Sequence, residues 1–433
     1  MQPITNEIKA LQVKTFNLIG TKLNVLYDRN LTKLMPPVLV TKITLATEYK
    51  PLISRINPIK RIRMKKLMPA LIIISVLAVS FKRKTVSVHT SPLAIHHSPD
   101  TLLFPDETHL KNVQQLTFGG DNAEAYWSFD GKYIVFQRTN PKEGLKCDQI
   151  FYGKAPEKTG DKFEYKMISS GKGRCTCSFI TKDGKHIIYA STHLAADTCP
   201  PVPDRSKYGN KYIWPLYDSY DIFMADLDGK IVKQLTHSKG YDAEGTLSPD
   251  GTKMIYTSDK DGDIDLYIMD ITTGKEKKVT NTLGYDGGAW FSPDGKKIIW
   301  RASRPKTEAE IKEYKELLAD NLVAPTNMEV FVANADGSEA HQVTNFGQAN
   351  WAPAFFPDSK KIVFASNYKY KRGFPFDLYS INEDGTGLTQ LTHSNTFDAF
   401  PMFSPDGKKI VFCSNRNNGG GHDTNVFIAD WVE

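Results

Sequence analysis

The phrase Ser248-Pro249-Asp250-Gly251 returns along this chain as Ser292-Pro293-Asp294-Gly295 and as Ser404-Pro405-Asp406-Gly407. Looser copies are Phe129-Asp130-Gly131, Lys182-Asp183-Gly184 and Phe356-Pro357-Asp358-Ser359. Anchored on the aspartates at 130, 183, 250, 294, 358 and 406, the six copies are spaced by 53, 67, 44, 64 and 48 residues. Units of this length cannot bury an apolar face alone, so they must stack on equivalent neighbours. Within the phrase, proline presets the first central residue of a type I turn and glycine relaxes the exit.

A lysine-led apolar run follows each turn, as in Lys297-Ile298-Ile299-Trp300 and Lys409-Ile410-Val411-Phe412. A third run follows, seen in Asp265-Leu266-Tyr267-Ile268-Met269 and Asp377-Leu378-Tyr379-Ser380-Ile381. A fourth ends in Gln234-Leu235-Thr236, Gln342-Val343-Thr344 or Gln390-Leu391-Thr392. Residues of both parities are apolar, so each sheet expects cover on both faces. Four antiparallel strands per repeat, stacked face to face, describe an all-β, six-bladed β-propeller. The last repeat supplies three strands, ending with Asn425–Asp430, and its fourth is expected from Val113–Thr117 at the N-terminal side, closing the ring and protecting a sheet edge.

Two intervals are long because they hold insertions between second and third strands: 191–219 in blade two and 303–328 in blade four. The second contains an amphipathic helical segment, Glu308–Leu318, with Ile311, Tyr314, Leu317 and Leu318 on one face. Both insertions should emerge on one face of the disc.

Charge divides the chain. Residues 1–90 hold 16 Lys and Arg against three acids, a net of +13, while 91–433 hold 39 against 46, a net of −7. A basic footprint for nucleic acid is therefore absent from the folded body, and no nucleic acid is expected as partner. From Met64, a basic start leads into the uncharged run Leu67–Phe81 and then Lys82-Arg83-Lys84. Residues 64–90 thus read as a signal peptide or signal anchor, since the apolar run of 15 residues is shorter than the roughly 20 residues of a full membrane span. Residues 1–63 read either as an extension ahead of a true start at Met64 or as a cytoplasmic tail. Residues 91–433 form the propeller domain. Any membrane contact is expected only through the N-terminal segment, and the body is expected to be a monomer, periplasmic or at the cell surface.

The Ser-Pro-Asp-Gly turns, Asp-Leu-Tyr third strands and Gln-Leu-Thr fourth strands resemble the TolB-type propeller over roughly residues 110–433. The closing stretches Phe397–Ser404 and Asn425–Trp431 are similar to exported bacterial TolB-like proteins. The resemblance implies a periplasmic binding module whose partner is an envelope protein or lipoprotein. Only about twenty residues separate the signal-like segment from the first propeller strand, so TolB's N-terminal α/β domain has no counterpart here.

Eight residues before each turn aspartate lies one ring of equivalent positions: Asn122, Cys175, Asp242, Asp286, Asn350 and Asp398. Glu124 and Glu244 follow two residues later. A polar, anionic axial mouth for a ligand is one reading of this ring; Asx residues capping turns is the other. Asp259, Asp261 and Asp263 have the alternate-oxygen spacing of a calcium loop but lack its closing glutamate, which makes them weak metal candidates. Cys147, Cys175, Cys177 and Cys199 map near the insertion-bearing face, where an exported protein favours disulfides. Cys177–Cys199 with Cys147–Cys175 is one pairing the spacing allows, and a metal site with His193 is the rival. Cys413 reads as a buried thiol. The Arg301–Arg304 and Lys369–Arg372 patches read as solvated faces. No Gly-x-Ser-x-Gly elbow is present.

The functional expectation is a non-enzymatic propeller, without cofactor, that binds a protein or envelope component in envelope integrity or transport. The alternatives are a lyase or hydrolase using axial carboxylates with a divalent cation, and the accessory propeller of a peptidase.

Overall fold

Each Asp-Gly phrase closes a hairpin through its own side chains. In blade three, the Ser248 hydroxyl donates to Asp250 at 2.6 Å and accepts from the Lys253 amide at 3.0 Å. Asp250 also takes the Thr252 amide, and Gly251 turns at φ 77°. The same bonds recur at Ser292–Lys297 and Ser404–Lys409. The serine and aspartate of the phrase therefore satisfy the backbone groups that the turn leaves unpaired.

The computed structural model describes residues 11–18, 21–28, 102–370 and 373–433. Two units divide the chain, Met1–Thr90 and Ser91–Glu433. In the first, Leu11–Leu18 pairs antiparallel with Thr21–Asp28. The apolar run 67–81 lies outside the described residues, as do Lys371 and Arg372. Among the described residues, no helix is long and apolar enough to cross a membrane.

The second unit contains six four-stranded antiparallel sheets. Blade one is Asp121–Trp127, Tyr133–Asn140, Leu145–Lys154 and Tyr165–Met167, and blade two is Cys175–Ile180, His186–Ser191, Asp221–Asp226 and Ile231–Gln234. Blade three runs from Asp242–Leu247 to Glu276–Lys278, blade four from Asp286–Phe291 to His341–Gln342, and blade five from Asn350–Phe355 to Thr389–Gln390. Blade six joins Asp398–Phe403, Lys409–Ser414 and Asn425–Trp431 to Leu110–Gln115, the last pair registering Phe427 with Gln115 and Trp431 with Leu110. First strands of neighbouring blades pack on one another, which makes them the innermost layer. Second strands such as Lys361–Ser366 and Lys409–Ser414 are buried at five successive positions, as sheets covered on both faces require. The outermost strands shrink to two residues in blades four and five, leaving little edge to template another strand.

The Gln-Leu-Thr phrase has a structural cause. Its threonine hydroxyl accepts the amide that opens the third strand: Thr236 from Ile222, Thr344 from Val330, Thr392 from Leu378, and in blade six Thr117 from Val426. That hydroxyl donates onward to the polar residue starting the same strand, Asp265 from Thr280 at 3.0 Å and Glu329 from Thr344 at 2.5 Å. The glutamine amide returns to the threonine carbonyl at 2.6–2.9 Å.

Segment 102–109 is locked onto blade six. The Arg416 guanidinium, 1% exposed, reaches Leu102 O, both Glu107 carboxylate oxygens and Asp398 Oδ2, all at 3.0–3.1 Å.

Candidate axial mouth and insertion-bearing face

The six ring positions are all fully buried: Asn122, Cys175, Asp242, Asp286, Asn350 and Asp398 are each 0% exposed. Five of them donate their backbone amides to the preceding blade, for example Asn122 to Thr424 O, Asp286 to Ile264 O and Asp398 to Phe376 O at 2.9 Å. Their side chains are engaged as well. Asp286 Oδ1 accepts from Trp300 Nε1 and Arg304 Nη2, both at 2.6 Å. Asn350 bridges Met328 O and the Ser366 hydroxyl, Asp398 takes Ser394 and Arg416, and Asp242 takes Ser238. Burial pushes the Asp286 carboxyl up to about 6, although Arg304 and Trp300 pull it down. The ring thus lies between blades, one layer behind the surface that lines the axis.

Two residues further on the backbone itself turns toward the axis. Glu124, Cys177, Glu244, Gly288, Ala352 and Phe400 all have left-handed φ, between 47° and 63°. Each sits at a register shift in its first strand, such as Ala123/Tyr126 and Thr176/Ser178. A β-bulge with a left-handed residue is thus repeated six times around the axis, and only one of the six is the glycine that this backbone prefers. Glu124 and Glu244 belong to this inner layer. They and Cys177 border an axial space of about 20 Å3, room for about one water.

Electrostatically the mouth holds one matched pair. Glu244 accepts from Thr257 Oγ1 at 2.8 Å, Tyr285 OH at 2.9 Å and the Gly288 amide at 2.9 Å, and it ion-pairs with Arg301. Arg301 is buried, donates to Tyr285 OH at 2.8 Å, and lies 5.3 Å from the Trp214 ring of the blade-two insertion. The solvated face expected of Arg301 is therefore corrected: its second-strand position points the guanidinium at the axis, where Glu244 compensates it. Glu124 has no such partner set. Burial raises its carboxyl to about 7, with Glu244 also raising it and the Cys177 thiol and Arg301 opposing.

The cysteine pairing also differs from the one entertained above. Cys147 bonds Cys199 across a Cα–Cα distance of 5.9 Å, tying blade one's third strand to the blade-two insertion. Cys175 and Cys177 are unpaired. The bulge separates their directions: Cys175 turns inward to Ser191 Oγ at 3.5 Å, and Cys177 turns to the axis. His193 bonds Ser191 Oγ at 3.0 Å and packs on Phe223. Asp259, Asp261 and Asp263 face different donors, the Tyr241 amide, Tyr267 OH and Tyr314 OH respectively. Among the described residues no three His, Cys, Asp or Glu side chains form a set able to hold a metal.

The two insertions dock on each other. Trp214–Pro215 pairs antiparallel with Leu322–Val323, and Leu216 N bonds Asn321 O at 2.7 Å. Between them runs the helix Glu308–Ala319, opened by a Thr307/Glu310 capping box. Its Leu317 packs with Ile213 and Leu322, and Tyr314 is buried. Tyr208 OH and Lys207 Nζ hold Asp320 at 2.6 and 2.8 Å. Chemically, this face offers a rigid frame with exposed aromatics, and the narrow axis holds two carboxylates and one guanidinium.

Residues 214–322 and 323–422 each match the family model described as the TolB beta propeller domain. No curated protein matches the chain. Similar solved structures include one assigned to TolB from Agrobacterium tumefaciens, at 19% identity over 72% of this chain and 91% of that one, TM-score 0.46. TolB from Acinetobacter baumannii shares 19% identity over 70% and 64%, TM-score 0.47. The tricorn protease shares 12% over 67% and 28%, TM-score 0.37. The chain therefore spans less than two thirds of the Acinetobacter protein and under a third of the protease. On its two matched segments and its six four-stranded sheets, this chain carries a propeller of the TolB type.

Proposed function

We propose that this chain is an exported, non-enzymatic TolB-like propeller that binds a protein or other envelope component through its insertion-bearing face. One observation carries the reading. Of the eight large apolar side chains left exposed among the described residues, Leu194, Val202, Tyr212 and Phe374 all lie on the two-to-three-strand connections of this face. Large apolar groups gathered on a scaffold stiffened by a disulfide and a strand pair mark a contact surface rather than scattered exposure. Export is supported by the basic start and apolar run at Met64–Phe81 and by the Cys147–Cys199 disulfide, which an oxidising compartment preserves. A binding role is supported over catalysis because the ring carboxylates are fully buried and each commits one oxygen to partners in its own blade or the loop entering it.

The test is affinity capture from solubilised cell envelope with residues 91–433 as bait. A specific envelope component should be retained by the native protein and lost with Leu194→Asp/Val202→Asp, whose side chains are 61% and 71% exposed and support no core. Equal capture by native and variant proteins would refute the reading.

A further inference from the structure

A cleft of about 310 Å3 opens on the insertion-bearing face, within the size range of small-molecule sites, roughly 300–1,000 Å3. Its walls come from three separate places: Tyr212 of the blade-two insertion, Glu313 and Thr326 of the blade-four insertion, and Trp351, Phe374 and Phe376 of blade five.

The aromatic groups form a fixed platform. Tyr212 lies nearly parallel to Trp351, with centroids 6.1 Å apart and planes 28° from parallel. Phe374 stands at 87° to Tyr212, 5.8 Å away. Tyr212 is 43% exposed and Phe374 is 53% exposed, whereas Trp351 and Phe376 behind them are buried and stacked at 4.4 Å. Trp351 is anchored in turn by its indole bond to Pro325 O at 2.8 Å and by Trp214 at 5.0 Å. Two exposed rings at a right angle, each backed by an immobile one, lose little conformational entropy on binding.

The polar lining selects the ligand's chemistry. Lys211 and Glu313, which face the cleft, are ion-paired with each other. Among the described lining residues these are the two charged side chains, and they match each other, which disfavours a charged ligand. Asn210, Thr326 and Gln348 also line the cleft, and among the described residues their side chains make no hydrogen bond within the protein. Neutral amides and a hydroxyl beside bare aromatic faces suit a ligand that is apolar on its ring faces and dense in hydroxyls at its rim. A sugar ring is such a ligand. A lipid chain would leave the amides without partners, at a cost of about 1–3 kcal/mol for each one buried.

We propose that this cleft binds a neutral oligosaccharide, one sugar ring stacking on Tyr212 against the edge wall of Phe374. The inference rests on the insertion-bearing face being a binding face and names a ligand class for one part of it.

The test titrates the purified full chain with cellotetraose, maltotetraose and triacetylchitotriose, read by tryptophan fluorescence, which Trp351 and Trp214 should report, and by calorimetry. At least one sugar should give a saturable signal. Tyr212→Ala and Phe374→Ala should each weaken it at least tenfold with an unchanged thermal midpoint, and Tyr212→Trp should retain it. No saturable response to any of the three, or a response indifferent to both alanine variants, overturns the proposal. So does tighter, Tyr212-dependent binding of a neutral proline- and tyrosine-rich peptide. Envelope capture through Leu194 and Val202 that succeeds while all sugars fail would sink this inference alone. Sugar binding without capture would sink the protein-partner reading alone.

Discussion

Arg416 is the largest buried charge in blade six, and its removal offers a test with a calculable size. It holds Glu107 through two hydrogen bonds and Asp398 through a third, and both carboxylates are buried at 2% exposure or less. Arg416→Met keeps much of the stem's volume against Phe412 but leaves two carboxylates without their common cation. Breaking a buried pair from one side costs about 3–5 kcal/mol. Across residues 110–431 an unfolding entropy of roughly 2.1 cal/mol/K per residue comes to about 0.7 kcal/mol/K. The thermal midpoint should therefore fall by about 4–7 °C, read by differential scanning calorimetry. The loss should also be local first. Glu107 precedes the strand Leu110–Gln115, so amide exchange should accelerate there and along Asn425–Trp431 before it does in blade three. Glu107→Gln, which keeps an acceptor for Arg416, should cost less than Arg416→Met. A midpoint shift below about 1 °C with unchanged exchange in that strand would show that the cluster does not hold the ring shut.

The Glu124 carboxyl, raised to about 7 from 4.5, contributes stability that is full below pH 4.5 and lost as pH climbs through 7. Glu124→Gln should accordingly gain about 2–3 kcal/mol on the native protein between pH 5 and pH 8; a native-minus-variant difference that is flat across that range contradicts the assignment. Cys147 and Cys199 are 52 residues apart, so replacing both with alanine should cost about 4 kcal/mol by loop entropy. Limited proteolysis should then cut within 192–212 before any blade, and retained resistance there would count against the tether. Thr307→Ala removes one half of a capping box and should lower stability by about 1 kcal/mol in urea denaturation. The same variant should leave the Trp214–Val323 pairing intact by amide exchange, whereas loss of that pairing would mean the helix positions the insertions.

The blade count was legible because Ser-Pro-Asp-Gly and Gln-Leu-Thr are local devices. Each phrase completes its hydrogen bonds within a few residues or with the adjacent strand, so its meaning travels with the sequence. The helix in blade four was legible for a similar reason, its 3.6-residue period being internal to the segment. The closing strand, expected over Val113–Thr117, is Leu110–Gln115, because Leu116 and Thr117 bond Val426 from just beyond the end of the ladder. The axial layer was less readable. Five of its six left-handed positions carry residues with no preference for that backbone, so only Gly288 signals it. Arg301 reads as a surface arginine in the sequence because its partner Glu244 lies 57 residues away. The disulfide depends on which way Cys175 and Cys177 face across a bulge, and alternation along a strand gives the wrong answer there. The mutual docking of the insertions joins segments that are each unremarkable alone.

The six bulges also separate two things that most sites keep together. At each of these positions the carbonyls and amides that bend the strand are backbone groups, indifferent to the side chain they carry. Glutamate, cysteine, glycine, alanine and phenylalanine all occupy one geometry here. Five of these positions are therefore sockets in which chemistry can be exchanged without re-engineering the frame, whereas a side chain at Gly288 would meet the buried Arg301 guanidinium. A lineage could redraw what its axis attracts one substitution at a time around that fixed sixth position.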